Sequence, residues 1–191
     1  MSILRSLTFG FTLLLSLINP TLAADHVLPS TFDLGRPVTS DEIAAWDIDV
    51  RPDGAGLPKG RGSVQQGEQI YREKCIACHG ENGTGGPFDT LVGRIPEDAF
   101  PFALNPGAVK TIGNYWPYAT TLYDYINRAM PHNAPGSLGN DEVYALVAYL
   151  LHKNDVVPED TVLSADNLAT IIMPARHRFV PDDRRGGLEV R

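Results

Sequence analysis

The sequence contains few cysteines, few basic residues and only one long apolar stretch. Cysteine occurs twice in 191 residues. A structural zinc site needs four ligands, and two cysteines with five scattered histidines form no such set. Acidic residues outnumber basic ones by 23 to 16, and the resulting net charge of -7 argues against nucleic acid or an anionic membrane as a partner. Beyond the first 24 residues no segment is apolar and long enough to cross a membrane.

Several catalytic signatures are also missing. The glycine-rich stretch 80–86 lacks the lysine and hydroxyl that follow in a phosphate-binding loop. No paired nucleophile and base is visible, and the chain has no internal repeat. We therefore expect a bound cofactor, and not the side chains alone, to supply the chemistry.

The segment Cys75-Ile76-Ala77-Cys78-His79 is the most informative part of the chain. Two thiols at this spacing can add to the two vinyl groups of one porphyrin, and the adjacent imidazole then becomes an axial ligand of the iron. Residues 65–74 before it are polar and helix-prone, unlike the strand that precedes a thioredoxin motif. We interpret the motif as a haem c site, with a disulfide or a zinc site as the alternatives. It occurs once, so we expect one haem.

The second axial ligand is expected from a methionine. Met130 stands at a predicted helix end, directly before a proline, where a loop can present its thioether to the face of the iron opposite His79. His132 is the main competitor, and Met173 is a weaker candidate in the C-terminal tail. Either methionine could instead be an apolar core filler.

The N-terminus is typical of a secretory signal peptide. Arg5 provides a positive charge, Leu7 to Ile18 is a short apolar run, and Thr21-Leu22-Ala23 offers small residues for cleavage. Residues 1–23 are thus predicted to be removed on export to an oxidising compartment, the periplasm. An uncleaved membrane anchor is the alternative.

The remaining chain divides into three parts by composition. Residues 24–62 are rich in Pro, Gly and Asp and are predicted to lie extended on the main domain, apart from a short helix that starts near Ser40. Residues 63–153 should form one helical domain, with helices before Cys75, over 120–130 and from Asn140 to Leu151. Residues 154–191 form an extended tail. Aromatic residues at 100–118 should either cover the haem or make a small core of their own.

Residues 63–153 resemble a class I monohaem cytochrome c, through the Cys75–His79 motif, Gly67 and Tyr71, and Met130-Pro131. The resemblance implies an all-α cytochrome c fold around one covalent haem, with Gly67 and Tyr71 packed against Tyr149 or its neighbours. It also implies that the Pro87 carbonyl accepts the N–H of the His79 imidazole. The haem-binding residues would be Cys75, Cys78, His79 and Met130, with His79 and Met130 on the iron.

Five further stretches resemble the cytochrome subunits of periplasmic, Sox-type sulfite or sulfur dehydrogenases. The first three lie near the N-terminus: Trp46-Asp47-Ile48-Asp49-Val50-Arg51-Pro52-Asp53-Gly54, Gly56-Leu57-Pro58 and Gly62-Ser63-Val64. The other two are residues 111–121 and 125–131. The resemblance implies an electron-transfer subunit, not itself an enzyme, that pairs with a molybdenum-cofactor dehydrogenase subunit and a downstream electron acceptor. The alternative function is a haem enzyme or gas sensor with an open position on the iron. A third hypothesis is an interaction module whose termini dock a partner.

Overall fold

The computed structural model describes residues 34–96 and 99–180. The predicted signal peptide therefore lies outside the described residues. The chain divides into two units, Met1–Thr39 and Ser40–Arg191. Of the first unit only residues 34–39 are described, in irregular conformation. The helices and strands of the described residues belong to the second unit.

The second unit is helical, with one small sheet. Its α-helices are α1 (Ser40–Trp46), α2 (Val64–Lys74), α3 (Ile76–His79), α4 (Ala119–Ala129) and α5 (Asn140–Lys153). Strands β1 (Arg61–Ser63) and β2 (Val162–Ser164) pair antiparallel, with Gly62 opposite Leu163. Single 3₁₀ turns lie at Pro101–Ala103, Leu168–Thr170 and Arg176–Arg178. In the described residues, no helix combines the length and apolar character that a membrane span needs.

The crossing of α2 and α5 organises the fold. Gly67 of α2 lies so close to α5 that a Cβ atom added there would overlap the carbonyl of Ala145 and lie 2.7 Å from Cβ of Tyr149. One turn further on, the rings of Tyr71 and Tyr149 are 5.1 Å apart. The predicted contact of Gly67 and Tyr71 with the Tyr149 region is confirmed. Glycine is needed at position 67 because any side chain would push the two backbones apart.

The core lies between α2, α4 and α5 and includes the C-terminal tail. Every residue of α5 from Val143 to Leu151 is buried. The described part of the predicted tail has only the short strand β2 and two 3₁₀ turns, but Leu163, Leu168 and Met173 are fully buried in the same core cluster. The tail up to about Ala175 is thus part of the packed domain and not a covering on its surface.

The segment before β1 is joined to α4 by two hydrogen bonds, at Val50 and Pro52. The Val50 N–H donates to the Asp124 carboxylate (2.9 Å), and the Thr120 hydroxyl donates to the Pro52 carbonyl (3.3 Å). Val50 is buried, whereas no side chain from Ser40 to Asp49 is. The expectation that this segment lies on the main domain thus holds from Val50 onward, while Ile43 and Trp46 of α1 are exposed.

Candidate haem site

The Cys75–His79 motif forms a single helical turn directly after α2. Cys75 continues the helix, since its N–H donates to the Tyr71 carbonyl (2.9 Å), and its own carbonyl accepts from Cys78 (3.1 Å) and His79 (3.0 Å). Both thiols are free, Cys75 half-buried and Cys78 exposed. One turn therefore carries two unjoined thiols and the imidazole, as haem attachment requires, and the disulfide alternative gains no support.

Tyr71 secures the end of this turn. Its ring is buried, and its hydroxyl donates to the Gly80 carbonyl at 2.9 Å. Burial raises the pKa of the Tyr71 phenol, so the group remains a proton donor at any ordinary pH. The helical stripe Gly67, Tyr71, Cys75 thus joins the helix crossing to the motif.

The His79 imidazole is oriented by a main-chain carbonyl. Its Nδ1 lies 2.8 Å from the carbonyl oxygen of Asp89. A hydrogen bond there places the proton on Nδ1 and leaves the lone pair on Nε2 for a metal. The expectation that Pro87 supplies the carbonyl is wrong. The chain comes back to the motif one residue after Pro87, where the Phe88 N–H donates to the Cys78 carbonyl (3.1 Å). The carbonyl that reaches His79 is therefore that of Asp89.

Asn154 holds the loop that carries Asp89, and the sequence analysis did not identify it. The side chain is 0% exposed at the C-terminal end of α5. Its Oδ1 accepts from the N–H groups of Gly93 and Gly113, both at 3.0 Å. Its Nδ2 donates to the carbonyls of Leu150 (2.8 Å) and Leu91 (3.3 Å). An asparagine just after an apolar helix reads as an ordinary helix end, so only the fold reveals this clamp.

Met130 lies where α4 ends. Its N–H donates to the Ile126 carbonyl (3.0 Å), and the Met130-Pro131 peptide bond is cis. Its half-buried side chain packs against the core cluster that also contacts Cys75. His132 is exposed, and Met173 is 1% exposed within the core. Met173 is therefore a core residue, while iron ligation by Met130 stays a prediction.

The side chains around the motif fit a haem. Ile76, Leu91 and Trp116, like Met130, pack against the core but remain only half covered. Free thiols, an imidazole with Nε2 available and partly uncovered apolar side chains are what a covalent porphyrin requires. Among residues 34–96 and 99–180, no three His, Cys, Asp or Glu side chains are grouped to hold a metal ion. The zinc alternative therefore has no support in the described residues.

Most aromatic residues of the 94–118 connection form a core of their own. Phe100, Phe102 and Tyr115 pack together with Phe179 of the tail, with ring centroids between 5.0 and 6.1 Å apart. For these rings, the structure therefore supports the interpretation that they make a small core of their own. Trp116 packs instead against Tyr125 of α4, at 5.7 Å, and against the main core.

Comparison with known proteins gives consistent results. Residues 62–150 match the family model "Cytochrome C oxidase, cbb3-type, subunit III". Thiosulfate dehydrogenase from Allochromatium vinosum is 28% identical over 162 residues, which are 76% of this chain and 53% of that protein. Thiosulfate dehydrogenase from Psychrobacter arcticus is 30% identical over 107 residues, which are 54% of this chain and 31% of that protein. The chain thus spans only a third to a half of these curated relatives.

One chain of a solved structure is matched over a larger share of its own length than these curated relatives are. The crystal structure of the sulfane dehydrogenase SoxCD from Paracoccus pantotrophus contains a chain that is 39% identical, with a TM-score of 0.71. The match covers 81% of this chain and 74% of that one. At this identity the likeness extends to sequence as well as fold.

Proposed function

The chain belongs to the Sox-type cytochromes c, and we propose that it is the electron-accepting subunit of an exported, molybdenum-dependent sulfite or sulfur dehydrogenase. A cytochrome c domain of this kind carries one covalently bound haem c. The observation that carries the proposal is the motif turn, with two free thiols and an imidazole held by the Asp89 carbonyl. The likeness to a chain of the sulfane dehydrogenase supports the choice of partner.

Each of the four predicted site residues has a role in this proposal. Cys75 and Cys78 would hold the haem covalently, and His79 would offer Nε2 to the iron while the Asp89 carbonyl accepts its Nδ1 proton. Met130, at the end of α4, would hold the iron through its thioether. When bound, haem c supplies reversible exchange of one electron. Two features support these roles: Asn154 clamps the loop that bears Asp89, and the Met130 N–H is bound to the Ile126 carbonyl at the end of α4.

The proposal assigns no bond-making catalysis to this chain. If His79 and Met130 both hold the iron, no position would be left on it for a substrate. The relatives named thiosulfate dehydrogenase are longer proteins, so their activity belongs to them as wholes. Export to the periplasm follows from the predicted signal peptide at residues 1–23. A molybdenum-cofactor subunit would deliver the electrons and a further redox protein would remove them.

Absorption spectra of the purified, haem-loaded protein test the site. We expect a low-spin spectrum in both oxidation states and no change when carbon monoxide is added to the reduced protein. A high-spin spectrum or rapid carbon monoxide binding would contradict the proposal and favour a haem enzyme or gas sensor.

Reduction by sulfur compounds tests the function. Sulfite or thiosulfate alone should leave the oxidised cytochrome unreduced. When the molybdenum subunit is added together with the sulfur compound, the cytochrome should become reduced within one turnover of the molybdenum subunit. Steady consumption of the sulfur compound by this chain alone would show that it is itself the enzyme.

A further inference from the structure

Residues 40–49, here called the strap, expose an unusual amount of apolar surface. None of their side chains is buried. Trp46 is 86% exposed, Ile43 50% and Ile48 47%. Ile43 and Trp46 are three residues apart on α1 and thus share a face. A tryptophan buries about 150–250 Å² in a core or interface, so an exposed one beside two isoleucines is typical of a protein contact surface.

The strap is held from a fixed point on the domain. Directly after it, the buried Val50 N–H donates to the Asp124 carboxylate at 2.9 Å. Arg128, one turn further along α4, donates to the same carboxylate through Nε at 3.0 Å and makes an ion pair with it. The helix that anchors the strap is α4, and Met130 follows directly after its last residue. A partner bound to the strap is therefore tied to the helix that leads to the proposed haem site.

The charge of the strap defines the surface that it fits. Between Ser40 and Val50 there are four carboxylates, Asp41, Glu42, Asp47 and Asp49, and no lysine or arginine. A second copy of this strap would place like charges together, which disfavours self-association. A complementary surface has an apolar pocket for the indole and a rim of lysine or arginine side chains.

We propose that the strap docks the dehydrogenase subunit, with Trp46 as the anchor in an apolar pocket rimmed by basic residues. The inference rests on the proposed function and adds the surface through which that partner binds. The partner's basic rim steers the acidic strap, and the buried indole keeps the complex together. Since the strap is anchored on α4, docking places the partner close to the haem domain for electron transfer.

The test uses the haem-loaded protein and the molybdenum subunit. In Trp46→Ala we expect the dissociation constant, and the KM for the cytochrome, to rise about tenfold or more, as for a central tryptophan of an interface. The haem spectrum and the thermal stability should not change, because Trp46 is almost fully exposed. The control is Leu104→Ala, which removes a side chain that is 93% exposed outside the strap and should leave binding unchanged.

Three results would overturn the inference. If Trp46→Ala binds the molybdenum subunit as tightly as the wild type does, the inference is overturned while the proposed function stays intact. Wild-type protein that self-associates through Trp46, detected by sedimentation and lost in the variant, would make a second copy the occupant. Wild-type protein that neither binds nor accepts electrons from the molybdenum subunit would overturn the proposed function and this inference together.

Discussion

Nδ1 of His79 lies 2.8 Å from the main-chain carbonyl oxygen of Asp89. This contact sets the orientation of the imidazole and leaves Nε2 for the iron. A main-chain carbonyl cannot be removed by substitution, so the contact depends on whatever holds the loop. Asn154 does this, through hydrogen bonds to Leu91 and Gly93 on one side and to Gly113 on the other.

Asn154→Ala should strongly destabilise the protein. The substitution leaves the N–H groups of Gly93 and Gly113 without their partner in a buried site, and each such group costs about 1–3 kcal/mol. We expect the free energy of unfolding of the haem-loaded protein to fall by about 3 kcal/mol, measured by guanidinium titration. Gln69→Ala, at an exposed position of α2, is the control. A loss no larger than that of the control would show that the loop is held by other contacts.

Gly67→Ala should disrupt the crossing of α2 and α5. The added methyl group would meet the main chain of Ala145 and lie 2.7 Å from Cβ of Tyr149. Backbone atoms at a helix crossing cannot move aside cheaply, so we expect a loss of about 1–3 kcal/mol in the free energy of unfolding. Gly107→Ala is the matched control, because its nearest new contact is 3.4 Å away. Thermal unfolding distinguishes them, and equal midpoints would refute the close packing.

Met130→Leu separates the candidates for the second axial ligand. Leucine fills a similar volume but has no sulfur, so the iron should become high-spin and the reduced protein should bind carbon monoxide. His132→Ala and Met173→Leu should both keep the wild-type spectrum, since His132 is exposed and Met173 is part of the core. If His132→Ala alone opens the iron, the ligand assignment moves from Met130 to His132.

Glu142→Gln should reveal a pH-dependent part of the stability. The Glu142 carboxylate accepts from the Gly139 N–H (2.8 Å) and pairs with Lys74 of α2 (3.0 Å). These contacts, the first above all, hold the pKa of Glu142 below its ordinary value. The stabilisation is thus complete above about pH 4.3, the pKa in the unfolded chain, and is lost as the pH falls through the lower folded value.

Urea unfolding at several pH values checks this prediction. Because Glu142 is about one-third exposed, we expect Glu142→Gln to lower the free energy of unfolding by only about 0.5–1 kcal/mol at pH 7. The difference from the wild type should vanish in acid, below the folded pKa. The control, Glu73→Gln at an exposed position of α2, should change the free energy of unfolding little at pH 7 and in acid. A deficit that is the same at every pH would mean that the charge of Glu142 plays no part.

Local patterns in the sequence determined much of the fold. Helix α1 begins at Ser40 and α5 at Asn140, as predicted, because their starts carry polar and acidic residues that favour helix N-termini. Helix α4 lies within one residue of its predicted bounds, since its apolar residues recur at helical spacing. The Cys75–His79 motif indicated a haem site by itself, because its chemistry depends only on neighbouring residues. Gly67 by itself indicated only that another helix could approach closely, and the resemblance to the cytochromes c indicated that this helix carries Tyr149.

Apart from the contact of Gly67 and Tyr71 with Tyr149, only the tertiary structure decided which distant residues meet. The Asp89 carbonyl, the Asn154 clamp and the pairing of Val50 with Asp124 join segments whose separation leaves no local pattern. The burial of Met173, the aromatic cluster completed by Phe179 and the short β1–β2 pair likewise required the folded chain. A sequence shows what a residue can donate, accept or bury, but hydrogen-bond partners and core neighbours follow from the path of the backbone, which packing of the whole domain selects.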